Sequence, residues 1–452
     1  MRRKTMFIPL PRDGSSRNGK AILKPALALA AVLAVLAYSL PAAPQGAPPA
    51  GAQGLETRIA SILARFPAES AAARDALCAE ILGLGPRAVG AVCARVRPAG
   101  AGNDAQARFA VNGLAVYVTR AGAEAERRLF SGALLDALAA KPDQEVAAFP
   151  VTQLQLAGKE EAVRPLARML ADGTLAGPAA AALRTIGGRD AERSLLKSLG
   201  TASGGARLSI VEALGEMRSR EAMEKLIPLA DGSDAALRRA ARFALAEIGD
   251  PAAAPVLARV RVDATRVERS EAPSLYLRFA RRLDEAGRTS EALSAARAIL
   301  GSYGGPPEGH IASEALALIV STLGERSLPD LLGAAESADP GLSGAALELA
   351  TSLGGRDATA AWMDKASASG PALRAAILAM LGRRGDPAAL PFVRESLASP
   401  APEVRLAAIP AAARLGKEGV LSDLFGLFAG GDSRDVEAAK TALLGFDAGQ
   451  VV

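Results

Sequence analysis

Apolar side chains recur at helical spacing along most of the chain after residue 55. In the stretch before Gly249 they fall three or four positions apart, at Leu237, Ala240, Ala241, Ala244, Leu245 and Ile248. Charged side chains, Arg238, Arg239, Arg242 and Glu247, occupy positions between them. This is the pattern of an amphipathic helix. Because no stretch alternates apolar and polar residues with β-branched enrichment, we predict an all-α fold.

A short phrase separates the predicted helices: an aliphatic residue, a glycine, a polar pair and an alanine. Full copies begin at Ile186, Ile248, Leu353 and Leu381. Glycine ends a helix easily because it adopts left-handed backbone angles without strain. Asp then caps the next helix, and proline, as in Gly-Asp-Pro-Ala, suits a first helical position. We therefore interpret each phrase as a junction between two helices, with its glycine as the helix stop.

The glycine of the phrase or of a shorter echo recurs at positions 158, 187, 215, 249, 324, 354, 382 and 416. The mean period is about 32 residues if the widest gap spans two units. A unit of this length holds two short helices, which bury their apolar faces only by stacking on the next unit. The spacing predicts an α-solenoid of eleven or twelve helix pairs.

The second helix of one unit opens Pro402-Glu403-Val404-Arg405-Leu406-Ala407-Ala408, close to the Pro-x-Val-Arg-x-Ala-Ala of HEAT repeats. Looser copies and prolines inside the first helix accompany it, at Leu237–Ala241, Leu373–Ala376, Pro165, Pro255 and Pro391. The chain resembles the short bacterial HEAT-like type, best over residues 150–260 and 340–430. The resemblance implies a right-handed α-solenoid of stacked antiparallel helix pairs.

Six segments follow from the pattern. They are a signal peptide or signal anchor (1–43), a Pro/Ala/Gly-rich linker (44–54), divergent N-terminal helical repeats (55–150), HEAT-like repeats (151–261), irregular, faintly tetratricopeptide-like helix pairs (262–320), and HEAT-like repeats with a C-terminal cap (321–452).

The first segment is basic and then apolar over residues 25–40, which is the order of a secretory signal. Cleavage after the apolar run and retention as a membrane anchor both remain open. In either case we expect an exported chain, periplasmic or anchored in the membrane and facing the periplasm. Contact with the membrane is expected through residues 25–40 only if the leader is uncleaved.

The positive net charge belongs to the leader. Its first 24 residues hold seven basic residues and one acidic residue, which leaves 46 basic and 47 acidic residues in the remainder. We therefore expect no nucleic-acid partner. His310 is the single histidine and lies in a predicted loop, and no phosphate-binding loop motif occurs. We expect no metal, no cofactor, no small-molecule substrate and no catalysis.

Three functions remain. The first is a non-catalytic protein-interaction scaffold in a bacterial cell envelope, which binds a partner on the concave face of the solenoid. The second, implied by the resemblance, is an enzyme or enzyme subunit of the HEAT-like lyase kind. The third is a structural spacer.

The interval after Gly249 interrupts the regular phrase and is rich in arginine, with eleven arginines and seven acidic residues between 238 and 288. Within it Tyr276, Arg278, Phe279, Arg281 and Arg282 are candidate contacts for a protein or peptide partner. The alternative is that these arginines lie on solvated outer faces and cover alanines with their stems.

The two cysteines, Cys78 and Cys93, lie in consecutive predicted helices. In an exported protein they are candidates for a disulfide that staples this hairpin. The alternative is a pair of buried thiols acting as small apolar side chains. Trp362 is expected in the core.

Overall fold

The computed structural model describes residues 50–98, 100–140, 143–263, 266–303, 309–430 and 432–446. Within these ranges the chain consists of helices and loops without a strand, which confirms the all-α prediction. The chain divides into two units, Met1–Arg58 and Ile59–Val452, and the repeats belong to the second. The predicted leader, residues 1–43, lies outside the described residues.

Twenty-four α-helices are described. Their bounds are α1 Ala50–Leu63, α2 Ala71–Gly83, α3 Pro86–Cys93, α4 Ala105–Tyr117, α5 Glu124–Ala139, α6 Gln144–Ala157, α7 Glu160–Met169, α8 Ala176–Ile186, α9 Gly188–Leu199, α10 Gly204–Glu216, α11 Met223–Leu229, α12 Ala235–Ile248, α13 Ala254–Asp263, α14 Arg266–Glu285, α15 Thr289–Tyr303, α16 Gly309–Leu323, α17 Leu328–Ala334, α18 Pro340–Ser352, α19 Arg356–Ala368, α20 Pro371–Arg384, α21 Leu390–Ser396, α22 Pro402–Gly416, α23 Leu421–Gly430 and α24 Ser433–Leu443.

The helices form two rows, as expected for an α-solenoid. Each even-numbered helix from α2 to α22 packs against the next even-numbered helix, and we call this series the front row. The odd-numbered helices α3 to α23 form the back row, and each packs on the front-row helix that follows it. Stacking of neighbouring units thus buries one continuous core, in which Trp362 is fully buried as predicted.

The junction phrase is built as the sequence indicates. Gly249 ends α12 with a left-handed φ of 64°, and the side chain of Asp250 accepts a hydrogen bond from the Ala252 N–H. Pro251 starts a short 3₁₀ turn that leads into α13, where Pro255 is the second residue. Pro255 therefore marks the change from 3₁₀ to α geometry, where a missing N–H is tolerated, rather than a kink inside one helix.

Two of the glycines taken as helix stops have another role. Gly215 lies inside α10 and Gly382 inside α20, and the stop of α20 is Gly385. A Cβ at Gly215 would lie 2.5 Å from the Cβ of Ala244, and one at Gly382 would lie 2.8 Å from the Cβ of Ala411. These two glycines let adjacent front-row helices approach closely, and the helix-stop interpretation is wrong for them.

The arginine of the HEAT-like motif joins successive repeats. Arg238 Nε lies 2.7 Å from Glu268 Oε1 in the next front-row helix, and its Nη1 donates to the Gly232 carbonyl at 2.7 Å. Arg405 repeats both contacts, with Nε 2.7 Å from Asp435 Oδ2 and Nη1 3.0 Å from the Ser399 carbonyl. One side chain thus holds the loop before its own helix and the start of the following repeat.

The two cysteines are free, buried thiols, so the disulfide is not formed in this structure. Their side chains have different neighbours, since Cys78 Sγ faces Gly113 in α4 while Cys93 lines a hollow between α3, α5 and α6. Burial raises the pKa of each thiol to about 12. The structure therefore corresponds to the second alternative, two protonated thiols packed as small apolar side chains.

Candidate functional site

A groove of about 720 Å³ crosses the exposed side of the front row. It runs over α10, α12 and α14, so that three consecutive repeats contribute to it. Its walls carry Leu208 and Glu212 from α10, Arg239 and Phe243 from α12, and Glu271, Ser274, Leu275 and Arg278 from α14. We call it the front groove. Its lining combines apolar and charged side chains, which is typical of a surface that recognises a polypeptide.

A buried ion pair forms the floor of the front groove. Arg242 and Glu268 are both more than nine-tenths buried, and Arg242 Nη1 lies 3.1 Å from Glu268 Oε1. Arg242 Nε also donates to the Ala230 carbonyl at 2.8 Å. Burial lowers the pKa of the Arg242 guanidinium, while Glu268 opposes that shift. The pair fixes α12 against α14 and gives the groove a rigid base.

Phe243 is the apolar centre of the front groove. It is 40% exposed, and the Arg278 guanidinium carbon lies 4.9 Å from the centre of its ring. A cation at this distance is attracted to the face of an aromatic ring. An exposed phenylalanine beneath an arginine resembles the aromatic and arginine pairs that anchor protein interfaces.

Ion pairs between repeats order the charged side chains of the groove. Both guanidinium contacts of Arg239 reach Glu271, at 3.0 and 2.5 Å, and join α12 to α14. Arg278 lies 2.5 Å from Glu247, and Arg281 lies 2.7 Å from Glu314 in α16. A smaller groove of about 340 Å³, shared by α14 and α16, continues the surface past Arg278. The arginines are thus held in fixed positions before any partner arrives.

The structure divides the five predicted partner contacts into two groups. Arg278, Arg281 and Arg282 line this continuous surface, and Arg282 also pairs with Glu247 at 2.8 Å. Tyr276 and Phe279 do not, because they are 8% and 0% exposed and pack together with ring centres 5.7 Å apart. They belong to the core on the side of α14 that faces α15, so their assignment as partner contacts is wrong.

Sequence analysis missed Phe243, Glu212 and Glu271. Phe243 carried a usable signal, because it lies outside the apolar stripe of α12 and on the same face as Arg239, four residues earlier. A large apolar side chain on the polar face of a helix indicates a surface contact more often than a core position. The carboxylates carried no signal of their own, since their neighbours are set by the stacking of repeats.

His310 is exposed and lies in the first turn of α16 rather than in a loop. In the ranges that the structure describes, no group of three or more His, Cys, Asp or Glu side chains is placed to hold a metal ion. No single helix in those ranges is long and apolar enough to cross a membrane, although α2 and α3 pass the same test together as a pair bent by 115°.

Comparison with known proteins matches residues 192–276 and 359–444 to HEAT repeats. Solved structures with similar folds include human deoxyhypusine hydroxylase, with 21% identity, coverage of 63% of this chain and 95% of that chain, and a TM-score of 0.24. Kap121p has 11% identity, coverage of 88% and 54%, and a TM-score of 0.44. This chain therefore spans about half the length of Kap121p.

A structure from work on the interaction between cadherin and beta-catenin shows 13% identity, coverage of 88% and 94%, and a TM-score of 0.28. A search of curated protein sequences finds no match. The matched segments cover α12 and most of α14 in one part of the chain, and α20, α22 and α24 in the other. The front groove therefore lies largely on residues with the repeat signature.

Proposed function

We propose that this chain, a HEAT-like repeat protein with an α-solenoid fold, is a non-catalytic scaffold that binds a segment of a protein partner in the front groove. The observation that carries the proposal is the exposed Phe243 beneath Arg278, at the centre of a groove that spans three repeats. We propose further that it acts outside the cytoplasm, in a bacterial cell envelope, because a secretion-type leader precedes the repeats.

The geometry suits an extended or helical segment better than a small molecule. The front groove is open along its length, and its polar groups are spread over three helices instead of converging on one point. Its arginines and glutamates already satisfy one another, so a partner gains most from burying Phe243, Leu208 and Leu275. Specificity then comes from matching the order of charges along the walls.

The test substitutes Phe243 by glutamate and places a photo-crosslinking amino acid at the exposed Ser274. We expect the unsubstituted groove to crosslink one protein from envelope fractions, and Phe243→Glu to reduce its recovery by about tenfold or more, as for loss of an interface anchor. Phe425→Glu is the matched control, because Phe425 is 42% exposed and lies on α23 in the back row. It should leave the crosslink unchanged.

Two results would contradict the proposal. One is equal loss of the crosslink in both variants, which would mean that the glutamate acts through solubility or folding. The other is a chromophore that remains bound through purification, or turnover of a substrate, either of which would favour an enzyme of the HEAT-like lyase kind. A chain that acts only as a spacer would keep every interaction in Phe243→Glu.

A further inference from the structure

A second groove lies at the C-terminal end of the front row, between α22 and α24, with a volume of about 890 Å³. We call it the terminal groove. Leu406, Pro410 and Phe446 provide apolar surface, and Arg414, Lys417 and Arg434 provide three positive charges. Glu437 is the one carboxylate among its lining residues. The groove is therefore apolar at its base and positively charged along its walls.

These three cations differ from the arginines of the front groove, because they have no carboxylate to neutralise them. Among the described residues, Arg414, Lys417 and Arg434 make no ion pair within 4.0 Å and no side-chain hydrogen bond. The nearby acids are already engaged, since Asp432 and Asp435 pair with Arg405 and Glu437 pairs with Lys440 at 3.6 Å. Uncompensated positive charge thus collects in one groove.

The backbone at Lys417 supports the same interpretation. Lys417 has a φ of 43°, and in the described ranges Arg218 is the only other non-glycine residue with a positive φ. Such angles favour glycine, and a side chain held there costs conformational energy. The chain nevertheless places a long cationic side chain at this turn, on the rim of the terminal groove.

We infer that the terminal groove binds an acidic peptide segment in which carboxylates alternate with apolar side chains. The carboxylates would pair with Arg414, Lys417 and Arg434, and the apolar side chains would cover Leu406, Pro410 and Phe446. A nucleic acid fits less well, because its closely spaced phosphates would meet Glu437 and the apolar base offers one aromatic side chain for stacking. The inference rests on the proposed function, since it assigns the chemistry of a second contact of a protein partner.

Binding of a labelled ten-residue peptide of alternating Glu and Leu tests the inference on the full chain. Its matched probes are the Gln-Leu analogue and a thymidine decanucleotide. The variant Arg414→Gln, Lys417→Gln, Arg434→Gln removes the three charges without burying any group. The control variant Arg164→Gln, Arg168→Gln, Lys197→Gln removes three exposed charges from the back-row helices α7 and α9.

We expect saturable binding of the Glu-Leu peptide that weakens between about 0.15 and 1 M salt, where the screening length falls from about 8 to 3 Å. The terminal-groove variant should bind at least about tenfold more weakly, which is about 1.4 kcal/mol. The back-row control should stay within about twofold of the unsubstituted chain, because a drop there would report net charge alone.

Equal binding of the Gln-Leu analogue, tighter binding of the oligonucleotide, absence of saturable binding, or an equal loss in the control variant would each overturn the inference. The result is separable from the front-groove test. Phe243→Glu should leave peptide binding unchanged, and full capture of the envelope partner by the terminal-groove variant would discard this inference while the proposed function stands.

Discussion

At the scale of single residues, one sequence phrase serves two physical purposes. Gly249 and Gly385 end helices because they adopt positive φ angles of 64° and 73°. Gly215 and Gly382 stay inside their helices and remove a Cβ that would collide with Ala244 or Ala411 in the next repeat. The sequence around these glycines is similar, because both kinds follow the last apolar residues of a front-row helix. Only the packing of the next repeat distinguishes them.

Gly382→Ala should therefore destabilise the chain. Its methyl group would lie 2.8 Å from Ala411 Cα and force α20 and α22 apart. Overpacking of this kind costs about 1–3 kcal/mol, more than alanine gains through helix propensity. The midpoint of thermal unfolding should fall.

Gly344→Ala is the matched control for this substitution. Gly344 is exposed within α18, and a Cβ there meets open space. The control should raise the unfolding midpoint, because alanine stabilises a helix interior by about 0.5–1 kcal/mol relative to glycine. Opposite shifts in the two variants support close packing at Gly382, and parallel shifts would contradict it.

At the scale of helices, a buried arginine joins three elements near the N-terminal end of the repeats. Arg127 in α5 donates to the Ala157 carbonyl at the end of α6 at 2.7 Å and to Glu161 in α7 at 2.5 Å. It also pairs with Glu124 at 2.9 Å, and Lys159 contacts the same carboxylate at 3.0 Å. These contacts lower the pKa of Glu124 to about 2, with the hydrogen bond from Arg127 as the largest cause.

The lowered pKa of Glu124 gives this junction a defined pH dependence. A carboxyl group whose pKa is lower in the folded state contributes stability that is complete above its unfolded value and is lost as the pH falls through the folded value. The contribution of Glu124 should therefore disappear between pH 4.5 and about 2. Glu124→Gln should lower the unfolding midpoint at pH 7 and flatten its fall in this interval.

Thermal unfolding from pH 2 to 7 measures this effect, with Glu403→Gln as control. Glu403 is an exposed glutamate of α22 that makes no printed ion pair in the described part of the chain. Its substitution should leave the pH profile parallel to that of the unsubstituted chain. A parallel profile for Glu124→Gln as well would contradict the role assigned to Glu124.

At the scale of the repeat array, neighbouring units are linked by ion pairs between residues about one repeat apart in sequence. In the front row these include Arg239 with Glu271 and Arg281 with Glu314. In the back row Arg297 pairs with Asp330 at 2.8 Å and Arg394 with Asp423 at 2.8 Å. Each pair is exposed and contributes little alone, but the same link recurs from repeat to repeat.

The location of the molecule is a separate prediction, which depends on the leader. We expect the chain in the cell envelope, either released by osmotic shock with residues 1–43 removed or held in the membrane with the leader intact. Fractionation and an intact mass measurement distinguish the two. A variant that lacks residues 1–43 should remain in the cytoplasm, and recovery of the unaltered chain there would contradict export.

The sequence was sufficient for the helix pairs and their junctions, because these depend on local signals such as Asp250 as a cap and Pro251 as a helix start. It was insufficient for the candidate site. Tyr276 and Phe279 alternate with arginines along α14, and sequence alone could not decide which side of this long helix meets α15. The partners of Arg278 and Arg281 lie about 30 residues away and are set by the register between repeats.

The close contact between consecutive front-row helices also bears on how such a chain gains or loses length. Gly215 meets Ala244, and Gly382 meets Ala411, at the same separation of 29 residues. A deletion that joined the first glycine directly to the residues after the second would place Gly215 opposite Ala411, and the new neighbours would meet through the same pair of small residues. Whole repeats are therefore interchangeable at these two boundaries, so duplication or loss of units in multiples of a repeat preserves the contact on which the stacking depends.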